Sequence, residues 1–246
     1  MDNVEIQTRK YESAVQIPID GRALQGDLTI PSSPGGIVLF AHGSGSSRHS
    51  PRNKYVAQVL QQAGLATLLM DLLTSDEESR DAYTASLRFD IELLARRLIE
   101  ATRWLIEQPQ TAPLPIGYFG ASTGAAAALV AAAELRDLVA AVVSRGVRPD
   151  LAGGALRQVV APTLLIVGGN DRIVFDLNRK ALAELHGEKR LEIVPGAGHL
   201  FEEPGALESR CQDGKELVWS LLEWREDQTA GSVAVDLAMK QKRTQT

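Results

Sequence analysis

The 246-residue chain is long enough to bury a sizeable core, as one large domain or two small ones. Its 44% hydrophobic and 23% charged residues are ordinary for a globular protein, and a net charge of -5 without basic stripes excludes the electrostatic footprint of a nucleic-acid binder. The single cysteine, Cys211, excludes an internal disulfide framework, and no run approaches the roughly 20 apolar residues that span a bilayer. The stretch from Met1 to Glu5 lacks the pattern of a signal peptide, so a cytoplasmic protein without a membrane partner is expected.

In chain order, residues 13–20 alternate with period two, Gly21-Arg22 intervenes, and 23–30 read as a second strand, so the spacing predicts an antiparallel hairpin. Pro18 inside the first run assigns that strand to a sheet edge, where a missing N–H costs nothing. After the loop from Pro31 to Gly36, Ile37 to Ala41 form a continuous apolar run, the mark of a strand covered on both faces. The loop from His42 to Ser50 leads to a helix over 51–63, ended by Gly64, and 65–70 is the next buried strand. Residues 71–81 are acidic and read as an exposed loop. Apolar spacing over 86–107 predicts a long amphipathic helix, broken by Pro109 to Pro115. Strand 115–119, an alanine-rich helix over 125–134 and strand 138–143 follow, then a polar stretch over 144–162. Strand 163–167, helix 176–185, strand 190–194 and a last helix over 214–224 complete the series. This alternation predicts an α/β fold with a mostly parallel, doubly wound sheet and an N-terminal hairpin, in a single domain over 1–225. A tail over 226–246 either frays or packs as an extra helix.

In such a sheet, ligands bind beyond the carboxyl ends of the strands. Between strand 115–119 and its helix lies Gly120-Ala-Ser122-Thr-Gly124, a strand–turn–helix pattern that lifts a serine hydroxyl above the sheet edge. A nucleophilic serine needs a base, and the base needs an anion to fix its tautomer. Asp171 and His199 each follow a strand and come in the order Ser122, Asp171, His199, so all three can share one edge as nucleophile, orienting acid and base. Asp150 is a reserve acid, Asp176 an expected N-cap, and Glu202 and Glu203 expected caps of the segment after His199.

The phrases His42-Gly-Ser-Gly-Ser-Ser-Arg-His-Ser-Pro-Arg52, Gly120-Ala-Ser-Thr-Gly124, Val167-Gly-Gly-Asn-Asp171 and Gly198-His-Leu-Phe-Glu-Glu-Pro204 carry a resemblance. The chain resembles an α/β-hydrolase, and within that superfamily the dienelactone-hydrolase-like branch, over about residues 13–225. Dienelactone hydrolases proper carry cysteine where this chain has Ser122, so the resemblance implies generic ester or thioester hydrolysis rather than lactone hydrolysis. It also implies an oxyanion hole, with the Thr123 N–H as one donor and Ser44, or alternatively Gly45, as the other. Many relatives insert a helical cap between the strands at 138–143 and 163–167, and the short connection here implies no cap domain and an open site for a small-molecule ester.

Other polar residues carry two readings each. His42 either holds the shape of its loop or contacts substrate; His49, beside Arg48 and Arg52, is surface or reaches substrate; His186 is solvated at a helix end. Arg145 and Arg148 either clamp a substrate carboxylate or pair with Asp150 or Asp71 to hold loops. Gly43-Ser-Gly-Ser lacks the Gly-Lys-Ser/Thr of a phosphate loop, and no histidine, cysteine or carboxylate spacing suggests a metal, so no cofactor is expected. Cys211 has no elbow around it and reads as inert. The residues leave open a ligand receptor that keeps a hydrolase scaffold, acyl transfer to an acceptor other than water, and either a monomer or a homodimer.

Overall fold

The computed structural model describes residues 10–203. Its sheet has eight strands: β1 (Tyr11–Ile19), β2 (Arg22–Ile30), β3 (Ile37–Ala41), β4 (Ala66–Met70), β5 (Ile116–Ala121), β6 (Val139–Arg145), β7 (Thr163–Gly168) and β8 (Lys189–Val194). They stand in the order β1-β2-β4-β3-β5-β6-β7-β8; β1 and β2 run antiparallel to their neighbours and the rest are parallel. The expected hairpin forms, but its turn is Asp20-Gly21, both at positive φ, rather than Gly21-Arg22. Pro18 lies on β1, the edge strand.

Five α-helices join the strands: α1 (Pro51–Gln62), α2 (Ser75–Thr84), α3 (Ile91–Glu107), α4 (Thr123–Leu135) and α5 (Arg172–Glu184). Alternate residues of β3 feed opposite apolar layers. Ile37, Leu39 and Ala41 join the layer under α3 and α4, while Val38 and Phe40 join the layer with Val56, Ala57 and Leu60 of α1. Period-two side-chain alternation on a strand buried on both faces produces this split.

Several elements differ from the sequence reading. The acidic stretch expected as an exposed loop instead forms α2. Thr74 and Glu77 make a capping box, the Thr74 hydroxyl accepting from the Glu77 N–H and the Glu77 carboxylate accepting from the Thr74 N–H. The helix expected from residue 86 starts at Ile91, capped by Asp90 after a short 3₁₀ turn at Leu87–Phe89. α5 starts at Arg172 because Asp171, not Asp176, caps it by accepting from the Val174 N–H at 3.3 Å. The polar stretch before β7 contains a 3₁₀ segment, Pro149–Gln158, kinked at Gly153. The helix expected over 214–224, Cys211 and the tail over 226–246 lie outside the described residues.

Candidate active site

Ser122 joins β5 to α4 with φ 50° and ψ −118°, a conformation an L-residue rarely adopts. Two close approaches enforce this turn. A Cβ on Gly120 would lie 2.4 Å from the Ala125 Cα, and one on Gly124 would lie 2.3 Å from the His42 carbonyl oxygen and 2.4 Å from that of Ala41. Glycine at both places lets α4 rise tightly from the strand end and turns the Ser122 side chain outward. The Ser122 N–H donates to the Arg145 carbonyl at 3.0 Å, which ties the turn to β6.

The three residues singled out in sequence meet at this edge. The Ser122 Oγ lies 3.3 Å from the His199 Nε2, and the His199 Nδ1 lies 2.7 Å from the Asp171 Oδ2. Asp171 reaches His199 with one oxygen while the other caps α5. The segment bearing His199 is pinned on both sides: Glu203 accepts from the Gly198 N–H at 2.8 Å, and Glu202 pairs with Arg52 of α1 at 2.8 Å. Neither caps the segment after His199 as expected: Glu203 reaches back to the Gly198 N–H before it, and Glu202 makes an ion pair. Gly146, which the sequence analysis did not single out, lies beneath the imidazole; a Cβ there would come within 3.6 Å of its Nδ1 and Cε1. Its only sequence signal is a glycine just past the end of β6.

The loop after β3 is shaped by His42. Its Nδ1 lies 3.0 Å from the Gly43 carbonyl, and its Nε2 accepts the Leu72 N–H at 3.1 Å. Those partners fix a neutral tautomer with the proton on Nδ1. Burial pushes the His42 pKa below its ordinary value, more than Gly43, Asp71 and Glu78 raise it. Of its two readings, holding the loop is the one observed. The Ser44 N–H, expected as an oxyanion donor, instead donates to the Thr123 Oγ1 at 2.9 Å. The Thr123 N–H heads α4, where first-turn amides lack intrahelical acceptors, and Gly45, at φ 71°, borders the adjoining cleft.

Neither arginine of the expected clamp faces that cleft. Arg145 is buried, its guanidinium 5.8 Å from the Phe119 ring and 5.9 Å from the Phe201 ring, with Nη2 donating to the Asn53 Oδ1 at 3.4 Å. Arg148 forms a two-pronged pair with Asp150 at 2.9 and 2.7 Å on the surface, which draws Asp150 away from the reserve role. The Arg148 hydrogen bonds hold the Asp150 carboxyl below the usual carboxylate range. Asp71 is paired with Arg48, and His49 is exposed. The cleft beside Thr123 encloses about 170 Å³ between the His42–Ser46 loop, the end of β4 and α2. Among the described residues no group of three or more histidines, cysteines and carboxylates gathers as a metal would require, and no helix is long and apolar enough to cross a membrane.

The model of the dienelactone hydrolase family matches residues 24–224. A crystal structure described as a dienelactone hydrolase from Anabaena variabilis is 61% identical, with a TM-score of 0.83 over 84% of this chain and 96% of that one. Est1E from Butyrivibrio proteoclasticus, solved with ferulic acid, shares the fold at 18% identity with a TM-score of 0.73, over 85% of this chain and all of that one. A Mycobacterium tuberculosis protein provisionally named a phosphoribosyl transferase is 62% identical over 197 residues, 80% of this chain. This chain spans only 44% of the length of that relative, so the name given to the whole does not by itself describe the matched part.

Proposed function

The chain belongs to the dienelactone hydrolase family of α/β-hydrolases, and from that premise we propose that it is a serine hydrolase of small carboxylic esters or thioesters. The observation that carries this reading is the hydrogen-bonded series from Ser122 through His199 to Asp171. The His199 Nε2 takes the hydroxyl proton as the Ser122 Oγ bonds to the substrate carbonyl carbon. Asp171 keeps the other ring proton on Nδ1 and stabilises the imidazolium. The negative charge on the carbonyl oxygen is met by the Thr123 N–H and the Gly45 N–H, aided by the positive end of α4. His199 then gives its proton to the leaving oxygen or sulfur. Water next adds to the acyl carbon as His199 takes its proton; the bond from that carbon to the Ser122 Oγ then breaks, and His199 returns the proton to Oγ as the acid leaves.

Ser122→Ala is expected to lower kcat/KM for p-nitrophenyl acetate by at least about 10⁴-fold while the circular dichroism spectrum stays unchanged. Wild-type turnover in that variant would refute the assignment. Stoichiometric labelling of the wild type by a fluorophosphonate, lost in Ser122→Ala, is the second check; an inert receptor on this scaffold would not label.

A further inference from the structure

We infer that the cleft between the His42–Ser46 loop and α2 receives one substituent of the ester as an uncharged or cationic group, and that Glu78 makes it reject carboxylates. This rests on the proposed hydrolysis at Ser122, because Thr123 forms part of the cleft wall and directly follows that serine. A carbonyl bonded to the Ser122 Oγ carries two substituents, and one of them lies against this wall. The volume of about 170 Å³ equals the liquid share of roughly six water molecules at about 30 Å³ each, room for a short substituent. Leu72, Leu73, Ala82 and Leu94 give it aliphatic sides.

The charges around the cleft do not cancel. Asp71 is paired with Arg48, which also lies 3.7 Å from Asp27, and Asp81 is paired with Arg88 at 2.6 Å. Glu78 lines the same cleft from α2, is exposed, and has no ion pair among the described residues. Every arginine that could answer a substrate carboxylate here is otherwise engaged: Arg48 and Arg88 on aspartates, Arg148 on Asp150, Arg145 between two phenylalanines. A carboxylate entering the cleft therefore meets a net negative wall, whereas a trimethylammonium group meets a compensating one. For charges about 8 Å apart, each sign is worth roughly twofold in capture at the dielectric of bulk water and roughly thirtyfold at the effective dielectric near a protein surface.

The test uses two series of esters. One carries a methyl, carboxylate or trimethylammonium terminus on the acyl chain of p-nitrophenyl esters; the other carries the same groups on the ring of aryl acetates. In one of the two series, kcat/KM for the cationic ester is expected to exceed that for the anionic one by at least about tenfold at low salt. The ratio shrinks in 1 M NaCl, where the Debye length is about 3 Å. Glu78→Gln collapses the ratio toward one and Glu78→Lys inverts it. Ratios within about twofold of one in both series, or ratios unmoved by Glu78→Gln, overturn the inference alone. Absence of any turnover of the neutral esters, with no fluorophosphonate labelling, removes the hydrolase reading and this inference together.

Discussion

The backbone of Ser122 is strained so that its side chain can serve the site. At φ 50° and ψ −118° a Cβ is crowded by its own chain, a cost of about 1–3 kcal/mol that only a hydrogen atom would avoid. Ser122→Gly and Ser122→Ala both remove the hydroxyl, yet only glycine relieves the crowding. The glycine variant is therefore expected to melt above the alanine variant, by roughly 2–4 °C per kcal/mol of strain released. Equal melting temperatures by calorimetry would show the turn to be relaxed. The meeting of Ser122, Asp171 and His199 was legible because each follows a strand, and chain order is what suggested the roles proposed for them. The partner of the Ser44 amide was not, because that amide donates to the Thr123 hydroxyl, a contact that loop torsions decide. Arg145 was misjudged for a simpler reason. It lies two residues after Val143, on the face that packs with Phe119 and Phe201, so strand parity carries it into that layer instead of out over the edge.

At the scale of elements, α2 shows what hydrophobic periodicity cannot see. Its buried residues are Glu77 and Asp81, so it has no apolar stripe to count. Glu77 meets Arg97 at 3.0 Å and Arg22 at 3.6 Å, while Asp81 accepts from the Leu87 N–H and from Arg88. The signal that was present is the pair Thr74 and Glu77 at capping-box spacing. Burial raises the Glu77 pKa, but hydrogen bonds from Thr74 and the charge of Arg97 outweigh it and leave the carboxyl below its ordinary 4.5. Asp81 behaves alike: desolvation raises it, and Arg88 with the Leu87 and Arg88 amides lowers it further. A carboxyl depressed on folding contributes stability that is complete above its unfolded pKa and is lost as pH falls through the folded value. Hydrogen-exchange protection in α2, taken relative to the intrinsic rate at each pH, is therefore expected to fall below about pH 4, before the amides of β3 and β5 lose theirs. Exchange in α2 that stays flat down to the pH of global unfolding would contradict ionic anchoring.

For the molecule as a whole, the parallel strands were readable because burial on both faces leaves continuous apolar runs such as Ile37 to Ala41 and Thr163 to Val167. Strand order was not, since nothing along the chain says that β4 inserts between β2 and β3. Stability is expected to centre on those middle strands. Leu39→Ala, at a fully buried position of β3, should cost about 2–5 kcal/mol in urea unfolding with an unchanged m-value. A loss below about 1 kcal/mol would mean that the layer beneath α3 and α4 repacks freely. The two walls of the cleft also differ in how they are built. Behind Thr123 on the α4 side, backbone meets backbone across the spaces left by Gly120 and Gly124, and even a methyl group has nowhere to go. On the α2 side, surface-facing residues such as Glu78 and Ala82 border open water. Diversification around this cleft is thus lopsided: one bank is frozen by its architecture, and inheritable change is tolerated more readily on the other.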